Sequence, residues 1–450
     1  MPSDRTRILA DSIKRLLRRK AYPNLRKIVQ KTHAADLSIV FRSLPLSDQS
    51  RLFNMISDPA YKGVLLSELD EVAFLELVKQ IPVDDVVGIF ETMPSDDVAE
   101  LIGLLPEESS NAILKKMRKE GSEEVNELLS FADGTAGRIM TPDFIAVRED
   151  TTAKQAIESL QKEYSDVEMP FYLYVTDEYG KLVGVSSLRQ LVLVPPETPL
   201  KQFMITDVFS VRTETDQEEV AKIVARYDFL AVPVVDENSR LVGIVTVDDV
   251  IDIFHIEATE DFLKMAGVGE EYVETKSVFK SSRVRMPWLL ASCLGGILAF
   301  VIISQYETAL SDVAYLAAFI PIIMGMGGNI GTQSSIIVVR GLATGRVNVR
   351  DLWHVVFKEL RIGLILGISY GILVGLMAQF RYGAVMLAIS VGLAILISMS
   401  VAALVGSLVP MVMARVNIDP AIATGPFVTT AMDIVSVFFY FLIATTLLGL

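Results

Sequence analysis

Five long apolar runs fill the second half of this 450-residue chain. Each is long enough for a helix to cross the hydrocarbon core of a membrane, which takes about 20 mostly apolar residues. The sequence therefore predicts five membrane-spanning helices, at residues 286–304, 313–339, 356–379, 384–411 and 422–448. From Met286 onward there are six acidic and seven basic residues, whereas the whole chain has a formal charge of −14. The preceding residues must then be strongly acidic, and we expect them to face water.

The acidic balance and the scarcity of certain side chains argue against several classes of function. A nucleic-acid partner needs a basic face to meet its phosphates, so we expect none. The single cysteine, Cys293, can form neither an intrachain disulfide nor a thiolate metal cluster. The spans contain neither a nucleophile–base pair nor a metal triad, which argues against a membrane hydrolase. We therefore expect that the protein is not an enzyme.

Two helical segments begin the water-facing half. Residues 1–34 mix basic and aliphatic side chains at helical spacing, which predicts a basic amphipathic arm. We favour packing of this arm on neighbouring helices over anchoring at a membrane surface. Residues 35–135 contain a 12-residue period marked by Pro82, Pro94 and Pro106, each followed by acidic residues. Proline and acidic residues in a first turn are typical of helix starts, so the period predicts a superhelical domain of two-turn helices.

The acidic residues near these helix starts have two interpretations. They either cap and solvate the helices, which we favour, or form a cation-dependent contact surface. The residues concerned are Asp84, Asp85, Asp96, Asp97 and Glu100.

A longer repeat follows the helical domain. The echoed segments are residues 146–152 with 210–216 and residues 174–185 with 234–245. Each copy has a helical stretch and then two short β-branched runs joined by a polar turn. The predicted helices are residues 152–164 and 216–227. The pattern resembles a tandem pair of CBS modules, which we place at residues 136–200 and 201–252.

The CBS resemblance implies a possible nucleotide site on the second copy only. In that family a Gly-x-x-Thr-x-Asp stretch can hold a nucleotide ribose, and residues 243–248 match it. Thr246 and Asp248 are therefore candidates for binding ATP. The first copy departs from the pattern, with Ser187 and Arg189 at the matching positions. The structural alternative is that Thr246 caps the next helix through Asp249.

The second module and the segment after it are unusually acidic. Between Leu200 and Thr275 there are 17 acidic and 6 basic residues. Like charges this close oppose compaction unless a cation lies among them, and hard carboxylate oxygens suit Mg²⁺ or Ca²⁺. The sequence therefore favours a divalent-cation site over plain solvated helix faces. We expect residues 253–282 to form an acidic helix that connects to the membrane domain.

Basic residues set the predicted membrane orientation. Lys280, Arg283 and Arg285 precede the first span, and five more basic residues lie within residues 340–361. Because basic loops stay on the cytoplasmic side, we expect a multi-pass protein of the plasma (inner) membrane with a cytoplasmic first half. Leu450 would then lie outside.

The third and fifth spans contain features that suggest packing and function. Glycine at every fourth position, at 363, 367, 371 and 375, predicts a helix-packing seam in the third span. In the fifth, we expect Gly425-Pro426 to interrupt the helix and leave a carbonyl free. Asp433 would then lie about 16 Å into its span at 1.5 Å per residue. We take Asp433 as the only intramembrane acid, and such a group is costly and functional by default.

A second copy of the chain would give the Asp433 carboxylate a role in binding a cation. Two symmetry-related Asp433 carboxylates around a shared axis form a minimal site for a divalent cation. The second span is also polar, with Gly-Gly-Asn-Ile-Gly-Thr-Gln-Ser-Ser beginning at Gly327. The expected pore site combines Asp433 with Asn329, Thr429 and Thr430. The expected partners are a second protomer, membrane lipid and divalent cations.

Together these features resemble the MgtE family of magnesium channels and transporters, over essentially the whole chain. The resemblance implies a homodimer with a pore lined by spans two and five, which cytoplasmic Mg²⁺ holds shut. The implied gating ligands are Asp96, Asp228, Asp249, Asp252, Glu257, Glu260, Asp261 and Asp419. Two departures are Gly425, where some members have Asn before the proline, and Gln190, where an acidic residue is expected.

The sequence thus predicts a multi-domain membrane protein. Its parts are an α-helical superhelical N-terminal domain, an α/β tandem CBS pair, an acidic connecting helix and a five-helix all-α transmembrane domain at residues 283–450. The predicted function is Mg²⁺-selective entry through a homodimeric channel or transporter, gated by cytoplasmic Mg²⁺, with ATP as a further ligand. The alternative is an ion-coupled exporter of Co²⁺ or Zn²⁺, which would need a second titratable group besides Asp433.

Overall fold

The structure is a computed structural model that describes residues 4–163, 169–268 and 278–449. The chain divides into two compact units, Met1–Glu257 and Ala258–Leu450. The first contains the short helices and both sheets, and the second contains the long apolar helices. The predicted fold class is confirmed. Leu450 and part of the predicted connecting segment, residues 269–277, lie outside the described residues.

The N-terminal domain consists, over the described residues, of ten short helices. They are α1 (Asp4–Arg18), α2 (Tyr22–Val29), α3 (Ala34–Arg42), α4 (Leu46–Phe53), α5 (Pro59–Ser67), α6 (Glu71–Val78), α7 (Val83–Phe90), α8 (Ser95–Gly103), α9 (Glu107–Leu114) and α10 (Lys119–Ser130). Helix α1 buries Ile13 and Leu17 in the core of this domain, while Arg7, Arg15 and Arg18 stay exposed. The arm therefore packs on its neighbours, as the favoured interpretation expected.

Helices α7 to α9 reproduce the 12-residue period, with one difference at their starts. Pro82, Pro94 and Pro106 lie at the residue before each helix, with extended ψ values of 141°, 149° and 143°, and not inside the first turn. The acidic residues that follow occupy the first turn, where they complement the helix dipole. Each helix has 8 or 9 residues, so the predicted two-turn unit is confirmed.

The CBS pair contains two three-stranded sheets of the same topology. The strands are β1 (Ala146–Arg148), β2 (Tyr172–Thr176), β3 (Leu182–Ser187), β4 (Val211–Arg212), β5 (Ala231–Val235) and β6 (Leu241–Thr246). In each sheet the first strand pairs parallel with the second, which pairs antiparallel with the third. The helices of this region are α11 (Ala136–Ile139), α12 (Ala153–Glu163), α13 (Leu188–Leu193), α14 (Gln217–Tyr227) and α15 (Val247–Met265). Tyr164, the predicted end of the first repeat helix, lies outside the described residues.

The two modules are interleaved across the predicted boundary at residue 200. The backbone N–H of Ala136 in α11 donates to the carbonyl of Thr215 at 2.7 Å, beside the second sheet. Thr141 and Ile244 exchange backbone hydrogen bonds of 2.8 and 3.0 Å. Leu200 is fully buried in the core of the first module. The second module therefore hydrogen-bonds to residues 136 and 141, which precede the first sheet, and Leu200, at the boundary, belongs to the first core.

The second unit contains the helices of the membrane domain. They are α16 (Val278–Gln305), α17 (Glu307–Asp312), α18 (Ile320–Ala343), α19 (Leu352–Tyr382), α20 (Val385–Arg415) and α21 (Pro426–Leu448), with 3-10 turns at Ala314–Phe319, Val349–Asp351 and Pro420–Ala423. Over the described residues, five of these segments are long and apolar enough to cross a membrane. The prediction of five spans is confirmed.

The fifth span starts differently from the prediction. Helix α21 begins at Pro426, with Gly425 before it at a φ of +61°, so this pair starts the helix and does not interrupt it. Proline suits the first helical position because its missing N–H has no partner there. Asp433 lies seven residues after Pro426, about 10 Å from the helix start and not about 16 Å into the span.

The glycine ladder of α19 forms a seam with α20. All four of its glycines are buried. A Cβ on Gly371 would stand 2.6 Å from the carbonyl oxygen of Gly392, and one on Gly375 would stand 2.9 Å from that of Ala388. The backbones of the two helices are therefore in direct contact, as the sequence predicted.

Candidate functional site

The candidate ion site lies where α21 meets α18. A Cβ on Gly328 would stand 3.4 Å from Oδ1 of Asp433 and 3.2 Å from Cγ2 of Thr429. Glycine at this position therefore lets the backbone of α18 lie beside the carboxylate. Asp433 is partly exposed, and within the described ranges no hydrogen bond or ion pair engages its carboxylate. The carboxylate is available to a ligand.

Two threonines connect the helices next to Asp433. The hydroxyl oxygens of Thr332 on α18 and Thr429 on α21 are 3.0 Å apart. The Gly425 carbonyl accepts the Thr429 backbone N–H at 3.0 Å and its hydroxyl at 2.9 Å. The carbonyl that the sequence analysis expected to be free is therefore occupied, because Thr429 closes the first turn of α21. Thr332, which the sequence analysis did not select, belongs to the site.

The other two predicted pore residues do not join this arrangement in the single chain. Thr430 turns its methyl group towards α16, where a Cβ on Gly295 would stand 1.7 Å from Cγ2 of Thr430. This is a tight packing contact that only glycine permits. Asn329 follows Gly328, and its side chain is exposed. The structure thus brings Asp433 and Thr429 together and leaves Asn329 on the surface of the protomer.

A second acid is buried among the membrane helices, which corrects the expectation that Asp433 is alone. Glu359 of α19 is 3% exposed, and its Oε2 accepts a hydrogen bond of 3.0 Å from the hydroxyl of Ser334 on α18. Ser334 is itself 1% exposed. In the part of the chain that the structure describes, no basic side chain pairs with Glu359.

Two predicted gating ligands share a lysine at the end of α15. The ammonium of Lys264 donates to Oδ2 of Asp419 at 2.8 Å and also to Glu260. Asp419 in turn accepts the backbone N–H of Ala421 through Oδ1 at 2.8 Å. The basic residue Lys264 was not predicted as part of any site.

The end of α15 also contacts the start of α21. A Cβ on Gly425 would stand 2.2 Å from the carbonyl oxygen of Met265, and one on Gly267 would stand 2.5 Å from Cγ of Pro426. Both glycines have positive φ, +61° and +68°, which suits glycine in particular. The connecting helix therefore ends against the turn that begins the fifth span.

An acidic cluster lies within the first unit, between α8 and the start of α15. Burial, and then the carboxylates of Glu100, Asp248 and Asp252, raise the pKa of Asp97 to about 6. Burial also raises the pKa of Asp249 to about 6, against the lowering effect of its hydrogen bond from Thr246. Loss of hydration and the nearby Asp249 and Asp252 raise the pKa of Glu100. These acids destabilise one another when ionised.

The remaining predicted gating residues are distributed along three helices. Asp96 is partly buried in the first turn of α8, and Asp228 ends α14 in a left-handed conformation with its side chain exposed. Glu257 accepts a hydrogen bond of 2.6 Å from Gln217, and Asp261 is partly buried near the end of α15. Over the described residues, no three His, Cys, Asp or Glu side chains are grouped closely enough to hold a metal ion on their own.

The candidate nucleotide residues have different environments. Thr246 is 1% exposed, and its hydroxyl donates to Oδ2 of Asp249 at 2.6 Å. This is the capping contact that the sequence analysis gave as the structural alternative. Asp248 is exposed at the start of α15. In the first module Ser187 and Gln190 form the equivalent capping box, so the acid expected at Gln190 is replaced by a residue that caps.

Known proteins share this combination of parts. The family described as divalent cation transporter matches residues 320–443, the MgtE intracellular N domain matches 32–134, and the CBS domain matches 136–197 and 188–256. The magnesium transporter MgtE of Bacillus subtilis is 33% identical over 430 residues, which are 96% of this chain and 95% of that protein. The chain belongs to the MgtE family of magnesium transporters.

Other MgtE proteins resemble the chain over shorter lengths. The magnesium transporter MgtE of Thermus thermophilus is 40% identical over 330 residues, 72% of each protein. A crystal structure of the cytosolic domain of the Mg²⁺ channel MgtE in complex with ATP is 35% identical, with a TM-score of 0.52. It covers 54% of this chain and 99% of that one. The named MgtE relatives are transporters and not enzymes.

Proposed function

We propose that this MgtE-family chain forms a homodimeric, Mg²⁺-selective channel or transporter that admits Mg²⁺ across the plasma (inner) membrane. The observation that carries the proposal is the Asp433 carboxylate, which no described residue pairs with, beside the backbone of Gly328 on α18, a helix that Thr332 and Thr429 also link to α21. One protomer supplies one negative charge. Two protomers around a shared axis supply two, which balance a divalent cation.

The surroundings of Asp433 suit a hydrated ion. Mg²⁺ loses its water shell reluctantly and usually keeps several waters in protein sites. Gly328 has no side chain to occupy the space next to the carboxylate. We propose that Asp433 attracts Mg²⁺ through water, and that the exposed Asn329 amide contributes a neutral oxygen in the dimer. Thr429 and Thr430 then fix α21 against its neighbours and contribute to the walls of the pathway.

We further propose that cytoplasmic Mg²⁺ closes this pathway by binding the acidic residues of the first unit and of α15. The grouping of Asp97, Asp248, Asp249 and Asp252 supports this proposal: burial is the main cause of the raised pKa of Asp97 and Asp249, and neighbouring carboxylates raise it further, a repulsion that a divalent cation relieves. The proposed ligands are Asp96, Asp228, Asp249, Asp252, Glu257, Glu260, Asp261 and Asp419. Water molecules would complete each ligand set, as is usual for Mg²⁺.

The orientation of the chain follows from its basic loops. We propose that the first unit is cytoplasmic and the C-terminus lies outside, because Arg283, Arg285 and the loop from Arg340 to Arg350 are basic. A cytoplasmic first unit is also what a Mg²⁺ sensor of the cell interior requires.

ATP is a proposed second ligand of the CBS pair, supported by the related cytosolic domain that was solved in complex with ATP. Asp248 is exposed and available to a ribose, whereas Thr246 is buried and bonded to Asp249. We expect Asp248→Asn to weaken ATP binding in calorimetric titration of the full chain. If the unaltered chain releases or absorbs no heat of ATP binding, ATP is not a ligand of this protein.

The decisive experiment measures Mg²⁺ currents or uptake in proteoliposomes for Asp433→Asn and Asp433→Ala. Removing the charge should reduce Mg²⁺ flux roughly a hundredfold or more, because the Asp433 carboxylate offsets the cost of bringing a divalent ion into the membrane. Asp312→Asn, at an exposed acid after α16, is the matched control and should retain wild-type flux. Wild-type flux through Asp433→Asn would show that Asp433 is not the ion site, and residues 329–335 would become the better candidate.

An ion-coupled exporter of Co²⁺ or Zn²⁺ is a second candidate, because the buried Glu359 supplies, besides Asp433, the second titratable group that coupling requires. The two functions differ in their dependence on a proton gradient. Uptake that follows the Mg²⁺ gradient alone, at equal pH on both sides, supports passive entry. Export of Co²⁺ that stops when the pH gradient is collapsed supports the exporter.

A further inference from the structure

We propose that Glu359 is a positioning residue for the ion pathway, because its hydrogen bond to Ser334 fixes the rotation of α18 about its own axis. This inference rests on the proposed ion site at Asp433. Glu359 does not touch that site. It acts through α18, which carries Gly328 and Thr332 on the side that faces α21.

The burial of Glu359 indicates a specific purpose for the bond. Glu359 and Ser334 are 3% and 1% exposed, so both polar groups have lost their hydration. A buried carboxyl with one hydroxyl donor is costly compared with an apolar side chain of the same size. Hydrogen bonds between membrane helices define which faces meet, and this bond connects two helices that otherwise share few contacts.

The two hydrogen bonds of α18 point in nearly opposite directions. Thr332 and Ser334 are two residues apart, which is about 200° around a helix with 3.6 residues per turn. Thr332 meets Thr429 of α21 at 3.0 Å, and Ser334 meets Glu359 of α19 at 3.0 Å. Together they hold α18 from both sides.

The glycines of α18 show how little rotation the site tolerates. A Cβ on Gly327 would collide with Oγ of Ser436, and one on Gly331 would stand 3.0 Å from Cγ of Met432. Side chains of α21 therefore fill the space beside these glycines, and a rotation of α18 would bring larger side chains of its own against α21. A rotation of about 20° would move a group 5 Å from the helix axis by roughly 2 Å, which is large for an ion site.

Three variants test the proposal by Mg²⁺ uptake into proteoliposomes. Glu359→Met removes the acceptor at similar length, Ser334→Ala removes the donor, and Glu359→Gln keeps an acceptor oxygen for Ser334. For Met and Ala we expect the half-saturating Mg²⁺ concentration to rise roughly fivefold and preference for Mg²⁺ over Ca²⁺ to fall, with maximal flux changing less. The Gln variant should recover wild-type values to within about a factor of two, and the Met and Ala effects should not add, because they break one bond.

Controls separate positioning from folding and from the ion site itself. Ser407→Ala removes another buried hydroxyl, which bonds only carbonyls of its own helix, and should leave both readouts unchanged. If Glu359→Met does not fold, Ser334→Ala decides alone. Unchanged half-saturation and selectivity in Ser334→Ala, or a Gln variant as impaired as Met, would overturn the proposal. If one of these results occurs and Asp433→Asn still loses flux, the positioning role of Glu359 is wrong and the ion site stands. If Asp433→Asn keeps wild-type flux, the ion site itself is wrong.

Discussion

The ammonium of Lys264 lies 2.8 Å from Oδ2 of Asp419 and also bonds Glu260. Burial by itself would lower the pKa of Lys264, but the hydrogen bonds to Asp419 and Glu260 outweigh burial and raise it. The lysine therefore stays charged at physiological pH. Both carboxylates are among the proposed Mg²⁺ ligands, so a divalent cation that bound them would compete with the ammonium of Lys264.

Lys264→Gln should strengthen the response to Mg²⁺. The variant leaves Glu260 and Asp419 to repel each other, and a divalent cation relieves that repulsion. We expect the Mg²⁺ concentration that half-protects residues 258–268 from protease to fall roughly threefold. Lys264→Arg keeps the charge and is the matched control. An unchanged Mg²⁺ requirement in the Gln variant would show that Lys264 does not compete with Mg²⁺.

Protons should partly replace Mg²⁺ in compacting the first unit. Folding raises the pKa of Asp97 and Asp249 from 3.8 to about 6. The stability linked to these acids is therefore fully present below their ordinary pKa and is lost as the pH rises through about 6. In chelator, proteolysis between residues 248 and 268 should be slower at about pH 5 than at about pH 7.5, and added Mg²⁺ should matter more at the higher pH.

The variant Asp249→Asn tests the origin of that pH dependence. Removing Asp249, one of the three acids of the cluster whose pKa is raised, should flatten the change in protease sensitivity between the two pH values. Glu178→Gln, at an exposed turn acid, should leave it unchanged. Equal cleavage in chelator and in excess Mg²⁺ at the higher pH would contradict a Mg²⁺ sensor in this unit.

Neutralising Asp249, Asp252 and Glu257 together should separate conduction from closure. A ligand biases gating only through contacts that differ between states, and these carboxylates are the proposed contacts. We expect currents at low Mg²⁺ to persist, while the Mg²⁺ concentration that half-closes the pathway rises roughly tenfold or more. Bilayer recording with Mg²⁺ stepped on the cytoplasmic side measures both. Closure at the wild-type concentration would move the sensor elsewhere.

Features that depend on local periodicity could be predicted from the sequence. The five spans are continuous apolar runs, and the CBS copies repeat turn chemistry as well as hydropathy. Asp177 and Asp236, for example, each accept two backbone N–H groups in equivalent turns, at 2.8 to 2.9 Å. The start of the fifth span was misplaced because Ile422 and Ala423 extend its apolar run, although they lie in a 3-10 turn before Pro426.

Features that depend on distant partners could not be predicted. Lys264 and Asp419 are 155 residues apart. In the sequence, Lys264 is one basic residue within a strongly acidic segment, and nothing there indicates that it pairs with a particular distant carboxylate. Glu359 lies between Lys358 and Arg361, which are exposed and make this segment look like the water-facing end of a span. Its burial depends on Ser334, 25 residues earlier in another helix. Hydropathy along one helix does not contain that information.

The seam between α19 and α20 gives a prediction with a matched glycine control. A Cβ on Gly371 would stand 2.6 Å from the carbonyl oxygen of Gly392, which is backbone and cannot turn away, so Gly371→Ala must push the helices apart. We expect a loss of about 1–3 kcal/mol in stability, as for other overpacked sites. Gly296→Ala in α16, where a Cβ meets nothing within 4 Å, should cost little. Thermal unfolding of the detergent-solubilised protein, followed by size-exclusion chromatography, measures both. Equal stability of the two variants would mean that the helices are not held in backbone contact at Gly371.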